Sequence, residues 1–278
     1  MQYRTDLALE AAREQARTVR EWETDGVHLL RLQVDERTAQ RLNKPSGVYL
    51  TAVLSPLTDD ETRLESTARV LGKELRRLLP PQGTVLVVGL GNEAITPDAL
   101  GPRAASLVLA TRHIPDELAR SVGLTDLRPC AVVTPGVLGN TGVESSELVA
   151  GVCRAVRPCA VIAIDALAAC ELSRLGCTVQ LSDTGIAPGS GVGNDRRALN
   201  RDTLGVPVIG MGVPTVVDAC TLVRDLTEEE LEPHGTAMMV TPREIDLMID
   251  RAARLLAMTV HAALQPTYSP LELLTIAR

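Results

Sequence analysis

The stretch Thr84–Gly101, TVLVVGLGNEAITPDALG, decides the fold. Val85 to Val88 is a short β-branched apolar run without polar alternation, the pattern of a strand buried on both faces. Gly89 and Gly91 mark a tight turn after it. Thr96-Pro97-Asp98 then reads as a helix start. Threonine is a favoured N-cap, proline is tolerated at the first helical position, and Asp98 to about Thr111 is rich in Ala, Leu and Val. Asp98 is therefore expected in the first turn of a helix, just beyond the carboxyl edge of a strand. Open α/β sheets bind their ligands at that edge.

Outward from this junction the same alternation recurs. Tyr3–Glu23 reads as a charged helix with Asp6 as its cap, Val27–Val34 and Gly47–Leu54 as strands, and Asp59–Leu79 as a helix stopped by Pro80-Pro81. Cys130–Thr134 and Ala160–Ile164 are apolar strands, the second ending at Asp165, with a helix at Val143–Val156 between them. Thr178–Leu181 and Pro207–Met211 read as further strands and Pro214–Leu222 as a helix. A capping box at Thr241–Glu244 opens a helix to about Ala263. The pattern predicts an α/β fold with a mostly parallel sheet covered on both faces, and one domain over residues 1–278. The polar stretch Arg224–Gly235 is expected as a surface excursion.

Composition narrows the class. The net charge of −7 argues against a nucleic-acid or anionic-membrane surface. No apolar run is long enough to span a bilayer and no signal peptide opens the chain. The core is almost purely aliphatic, with no Phe and one Trp, Trp22. Cys130, Cys153, Cys159, Cys170, Cys177 and Cys220 show no CxxC spacing and read as buried thiols in a reducing compartment.

The candidate chemistry centres on two carboxylates. Asp98 and Asp165 both fall at the carboxyl edge of central strands. A helix N-terminus favours the ionised form of Asp98, and an apolar strand favours the neutral form of Asp165. Such a pair suits one carboxylate as base and the other as acid, with loop capping as the plainer explanation. Gly89-x-Gly91-x-x-Ala94 lacks the third glycine and the following acidic residue of a dinucleotide fingerprint. In the glycine-rich loop Ser182–Asn194, the part Pro188–Asn194 has no GKS or GKT and reads as a cleft wall, a substrate-backbone clamp or a plain glycine-rich connection. The four histidines form no metal motif, and a metal would need His113 beside both aspartates. No serine sits in a GxSxG setting.

The chain resembles the germination protease family of spore-forming bacteria. The matching segments include RTDLALE (4–10), VVGLGNEAITPDALGP (88–102), VVTPGVLGNTGVESSE (132–147), IAIDALAA (162–169), SDTGIAPGSGVGN (182–194), GVPVIGMGVPTVVDA (205–219) and MVTPREID (239–246). The resemblance implies a three-layer phosphorylase/hydrolase-like α/β fold, similar to hydrogenase-maturation peptidases. It implies an endopeptidase that degrades small acid-soluble, DNA-coating spore proteins at germination, with Asp98 and Asp165 as the catalytic aspartates. Asn92, Gly136, Gly139, Gly189, Gly191 and Asn194 fall in the loops expected to bind substrate. The family preference for acidic–apolar–Ala–x–Glu fits Asp6-Leu7-Ala8-Leu9-Glu10. It implies self-cleavage between Asp6 and Leu7 and a propeptide of residues 1–6. The resemblance further implies a homotetramer in the forespore or spore-core cytoplasm, with no cofactor. The alternatives are a divalent metal on the same aspartates and a non-catalytic, oligomeric binder of spore proteins.

Overall fold

The computed structural model describes residues 5–12, 19–59, 61–121, 123–189, 196–227 and 238–277. In chain order the strands are β1 (Val19–Thr24), β2 (Val27–Val34), β3 (Gly47–Val53), β4 (Val85–Gly89), β5 (Cys130–Val133), β6 (Ala160–Ala169), β7 (Thr178–Ser182), β8 (Val208–Asp218) and β9 (Met239–Val240). The helices are α1 (Ala8–Ala11), α2 (Glu36–Leu42), α3 (Leu64–Leu78), α4 (Leu100–Ser106), α5 (Asp116–Ser121), α6 (Leu138–Thr141), α7 (Ser145–Val156), α8 (Arg201–Leu204), α9 (Ala219–Thr227), α10 (Ile245–Leu264) and α11 (Pro270–Ile276).

The strands form one sheet in the order β1-β2-β3-β7-β8-β6-β4-β5, with β9 on β8. The ladders β5–β4–β6–β8 are parallel, as the apolar strand runs predict. The β1–β2–β3–β7 wing and its joint to β8 are antiparallel. Side chains alternate between the two faces of the parallel part. Val85, Val87, Ile162 and Ile164 pack with α3, α4 and α10. Leu86, Val88, Val161 and Ala163 pack with Val149 and Cys153 of α7. This is a three-layer α/β arrangement, and the runs Val85–Val88 and Ala160–Ile164 are apolar without alternation because both faces of the sheet are covered there.

Several sequence expectations change. The N-terminal helix is confined to α1, and its N-cap is Leu7 rather than Asp6. Val19–Glu23 is strand instead, because Trp22 and its neighbours pair with β2. Thr96–Asp98 is a separate 3-10 turn, followed by α4 from Leu100. Asp165 does not end its strand: β6 runs on to Ala169, paired throughout with β8. Strand β8 likewise runs through Pro214 to Asp218, where a helix was expected. The β6–β8 register shifts just after the Leu167–Pro214 pair, and such an irregularity accommodates a residue with no N–H. The helix that follows Val240 begins at Ile245 with no side-chain cap, so Thr241 makes no capping box; its hydroxyl donates to the Thr215 carbonyl instead. Of the expected excursion, Arg224–Thr227 belongs to α9 and residues 228–235 lie outside the described residues. The six cysteines are thiols, with Cys130, Cys153 and Cys170 buried and Cys159, Cys177 and Cys220 partly exposed.

One buried polar contact ties α10 to the layer that carries the site. The His261 imidazole is 2% exposed. Its Nε2 accepts from the Leu109 N–H at 2.9 Å, so Nδ1 carries the proton and faces the Pro270 carbonyl. Burial lowers its pKa from 6.5 to about 4, against a raising contribution from Pro270. A histidine kept neutral when folded stabilises fully above its unfolded pKa, and that stability is lost as pH falls from about 6.5 towards about 4. Wild type should lose about 2 kcal/mol between pH 7.5 and pH 5 through this residue alone. His261→Gln should lack that part of the loss in chemical denaturation series at the two pH values. An identical pH dependence in both proteins would refute the assignment.

Candidate active site

The site forms where β6 outruns β4. The last β4–β6 pair is Gly89 with Ile164, so Asp165 is the first β6 residue beyond the end of β4. Its other neighbour is Gly212 of β8. The carboxylate is 5% exposed, and its Oδ1 accepts from the Ala166 N–H at 2.9 Å.

Asp98 reaches the same place because three glycines let α4 approach the sheet. A Cβ on Gly101 would lie 2.1 Å from the Leu90 carbonyl and 2.4 Å from that of Ile164. One on Gly89 would lie 2.3 Å from the Gly101 carbonyl. Gly91 has φ +116°, and a Cβ there would meet the Asp98 carbonyl at 2.0 Å. Real Cβ atoms do not approach so closely, so only glycine permits this packing. The 3-10 turn is fixed from above by Thr215 of β8, whose hydroxyl donates to the Pro97 carbonyl at 2.8 Å. Asp98 Oδ2 accepts from the Asn92 N–H at 2.7 Å.

The electrostatics separate the two acids. Burial raises the Asp98 pKa, while the Asn92 N–H and the Arg196 guanidinium pull it down. Burial raises that of Asp165 much further, with the Asp98 and Asp6 carboxylates adding to the rise and Ala166 opposing it. Asp98 was expected to be favoured as the ion by a helix terminus. It sits in a single 3-10 turn instead, and burial outweighs that help. The order survives: Asp98 ionises first and Asp165 holds its proton longer.

The loop residues divide. The Asn92 side-chain oxygen accepts from the Ala94 N–H and, at 3.5 Å, from Asn140 Nδ2. That joins the loop after β4 to α6. The Gly136 carbonyl accepts from the Ser145 hydroxyl at 2.9 Å, and Gly139 lies in α6. Gly189 is the last described residue of the glycine-rich loop; Gly191 and Asn194 lie outside the described residues. His113 is near the opposite sheet edge: neighbouring Thr111 and Arg112 donate to the carbonyl of Cys130, the first residue of β5. It does not join the aspartates. Among the described residues no group of three His, Cys, Asp or Glu is arranged to hold a metal.

The chain's own N-terminal segment lies beside Asp165. Asp6 and Ala168 exchange bonds, with the Asp6 N–H donating to the Ala168 carbonyl at 2.9 Å and Asp6 Oδ2 accepting from the Ala168 N–H at 2.8 Å. Leu7 is 1% exposed among Leu167, Ala169 and Val217. Ala8 is fully buried, and Glu10 Oε2 accepts from the Cys170 N–H at 2.8 Å. Lys44 Nζ donates to the Thr5 carbonyl at 2.7 Å and sits in the field of Asp6 and Glu10. Sequence reasoning missed Lys44, Arg196 and Gln180. The available signals were a glutamine at the centre of the strand run TVQLS and the charged DRR that follows the glycine-rich loop.

A family profile described as germination protease matches residues 4–228. Germination protease of Caldanaerobacter subterraneus is 40% identical, over 97% of this chain and 96% of its own. That of Clostridium acetobutylicum is 35% identical over 95% of both chains, and that of Bacillus cytotoxicus 41% identical over 84% of this chain and 68% of its own. Among solved structures, the NiFe hydrogenase maturation protease HycI of Thermococcus kodakarensis matches 67% of this chain and 98% of its own, at 17% identity and TM-score 0.38. The chain belongs to the germination protease family.

The raised Asp165 pKa fixes a sign for stability. The folded chain binds this proton more tightly than the unfolded chain, whose value is near 3.8. The protonated form therefore stabilises fully below that value, and the contribution is lost as pH rises through the folded pKa. Asp165→Asn should melt higher than wild type at pH 7.5, and the margin should shrink as pH approaches 4. A margin that does not change with pH in thermal melts would contradict the assignment.

Proposed function

We propose that this member of the germination protease family is an endopeptidase that degrades small acid-soluble, DNA-coating spore proteins, with Asp98 and Asp165 as an aspartic pair. The observation that carries the reading is the convergence of two carboxylates from different elements, each raised by burial and the more buried one raised by the other. Loop capping explains neither the depth of Asp165 nor that coupling, and perturbed carboxylates in a cleft mark candidate catalytic groups.

The chemistry follows from the order of ionisation. Asp98 as the ion takes a proton from water, and the hydroxide adds to the scissile carbonyl carbon. Asp165 gives its proton to the carbonyl oxygen, leaving a neutral diol. On collapse the amide nitrogen takes the proton from Asp98 as the C–N bond breaks. One diol hydroxyl returns its proton to Asp165 as the new carboxyl forms. No cofactor enters these steps. A divalent metal on the same aspartates, the alternative reading, would make cleavage sensitive to chelator.

Autoprocessing belongs to the same reading. The family pattern acidic–apolar–Ala–x–Glu has a physical counterpart in Asp6–Glu10. An apolar side chain fills the Leu7 pocket, a small one is required at the fully buried Ala8, and the Glu10 carboxylate receives the Cys170 N–H. Cleavage between Asp6 and Leu7 would release residues 1–6 as a short propeptide. The reading takes residues 1–278 as one peptidase domain, assembled as a homotetramer in the forespore or spore-core cytoplasm. No helix among the described residues is long and apolar enough to cross a membrane.

The test is cleavage of a purified small acid-soluble spore protein, with products sized by mass spectrometry. Asp98→Asn and Asp165→Asn should each lose about 10²–10⁴ in rate, the usual worth of a general acid or base. Chelator should leave wild type unaffected. The pH profile should be bell-shaped, rising as Asp98 ionises and falling as Asp165 loses its proton, with both limbs above ordinary carboxylate values. Full activity in either variant would remove the pair from the mechanism.

A further inference from the structure

A buried glutamine in this site has no role in the chemistry above. Gln180 of β7 is 7% exposed. Its register partner on β8 is Gly212, which is also the partner of Asp165 on β6. Residues level with one another across adjacent strands project to the same face. Gln180 and Asp165 therefore share a face, separated by a residue with no side chain. Gly212 has no room for one: a Cβ there would lie 2.3 Å from the Asp165 carbonyl and 2.8 Å from Leu167 Cγ.

Both ends of the Gln180 carboxamide are spent on one peptide. Nε2–H donates to the Asp6 carbonyl at 3.2 Å, and Oε1 accepts from the Ala8 N–H at 2.8 Å. The two contacts bracket Leu7. A buried amide left without partners is costly, so a glutamine here calls for a polar backbone across the row. A primary amide facing a carbonyl and the N–H two residues on reads backbone and no side chain, as an added strand does. Side-chain selection falls to the Leu7 pocket and the Cys170 N–H.

We propose that Gln180 is a substrate-backbone clamp, which holds the carbonyl before and the N–H after the apolar residue of a bound peptide beside Asp165. The assignment rests on the peptidase reading above and adds to it a residue that touches the chain being cut. In self-cleavage the gripped carbonyl is that of the bond between Asp6 and Leu7. The clamp thus fixes that carbonyl before water is activated, the kind of positioning that lowers the entropy lost in the reaction.

The experiment follows release of residues 1–6 from the full chain by mass spectrometry, in wild type, Gln180→Leu, Gln180→Glu and Asp165→Asn. Gln180→Leu removes both bonds at similar volume. Gln180→Glu keeps an acceptor for Ala8 but, ionised, offers no donor to Asp6. Both should cut about 10–100-fold more slowly, the worth of one or two hydrogen bonds. Amide exchange gives the reading that a general packing defect would not: the Ala8 N–H should lose protection in Gln180→Leu and keep it in Gln180→Glu, although both cut slowly. Cutting at the wild-type rate by both variants, with Asp165→Asn inactive, overturns the clamp and leaves the aspartic reading standing. Undiminished cutting by Asp165→Asn overturns the aspartic reading instead. A wild type that never releases the segment overturns self-cleavage and the clamp with it.

Discussion

Everything at the site depends on a carboxylate held inside a strand. Asp165 is one residue past the end of β4, so one flank of β6 is open there while the other remains paired with Gly212. An apolar side chain at this position would be the stable choice. The aspartate instead has burial and two neighbouring carboxylates acting against its ionisation, with one N–H bond in compensation. A buried acid in that condition keeps its proton to higher pH than an ordinary carboxylic acid, and the proposed acid role for Asp165 requires that retention. On the aspartic reading, instability and function here share one cause.

The second constraint is steric. Asp98 belongs to a turn that could lie anywhere above the sheet edge. It is brought down onto Asp165 because Gly89, Gly91 and Gly101 remove the Cβ atoms that would hold α4 and the turn away. The Thr215 hydroxyl then ties the turn to the irregular part of β8, and Thr241 in turn bonds the Thr215 carbonyl. The β8 irregularity and Pro214 therefore serve the same end as the glycines: they set where the Asp98 carboxylate can be.

These features were unequally legible in the sequence. The apolar runs of β4, β5 and β6 and the Gly-x-Gly turn declared a parallel sheet and its carboxyl edge, so both aspartates could be placed from local pattern. The ends of β6 and β8 could not. The segments DALAA and VPTVVD look like turn and helix because alanine and proline disfavour strands, and mutual pairing overrides that preference. The antiparallel wing was hidden too, since its strand runs say nothing of their partners. Val19–Thr24 is polar and charged, and it is a strand only because β2 lies beside it. Gln180 was invisible for the same reason. Its meaning comes from Gly212 and Asp165, which are distant in sequence and level with it only in the folded sheet.

The N-terminal segment joins these levels. Leu7 and Ala8 are core residues, packed with Leu167 and Val217 on one side and with Leu32 and Tyr49 on the other. Asp6 and Thr5, by contrast, are held by polar bonds to Ala168, Gln180 and Lys44. A break between Asp6 and Leu7 would therefore divide the segment at the boundary between its polar and apolar anchors. The part before the break would keep no buried apolar side chain among its described residues, while the part after it would keep nearly all of its burial. Departure of Asp6 would also remove one of the two carboxylates that raise the pKa of Asp165. The Asp98 carboxylate would remain to raise it, and the Gln180 amide would regain a free donor toward the next carbonyl laid across the row. The fold is thus arranged so that losing the first residues alters the site's charge and hydrogen bonding without taking apart the core that supports it.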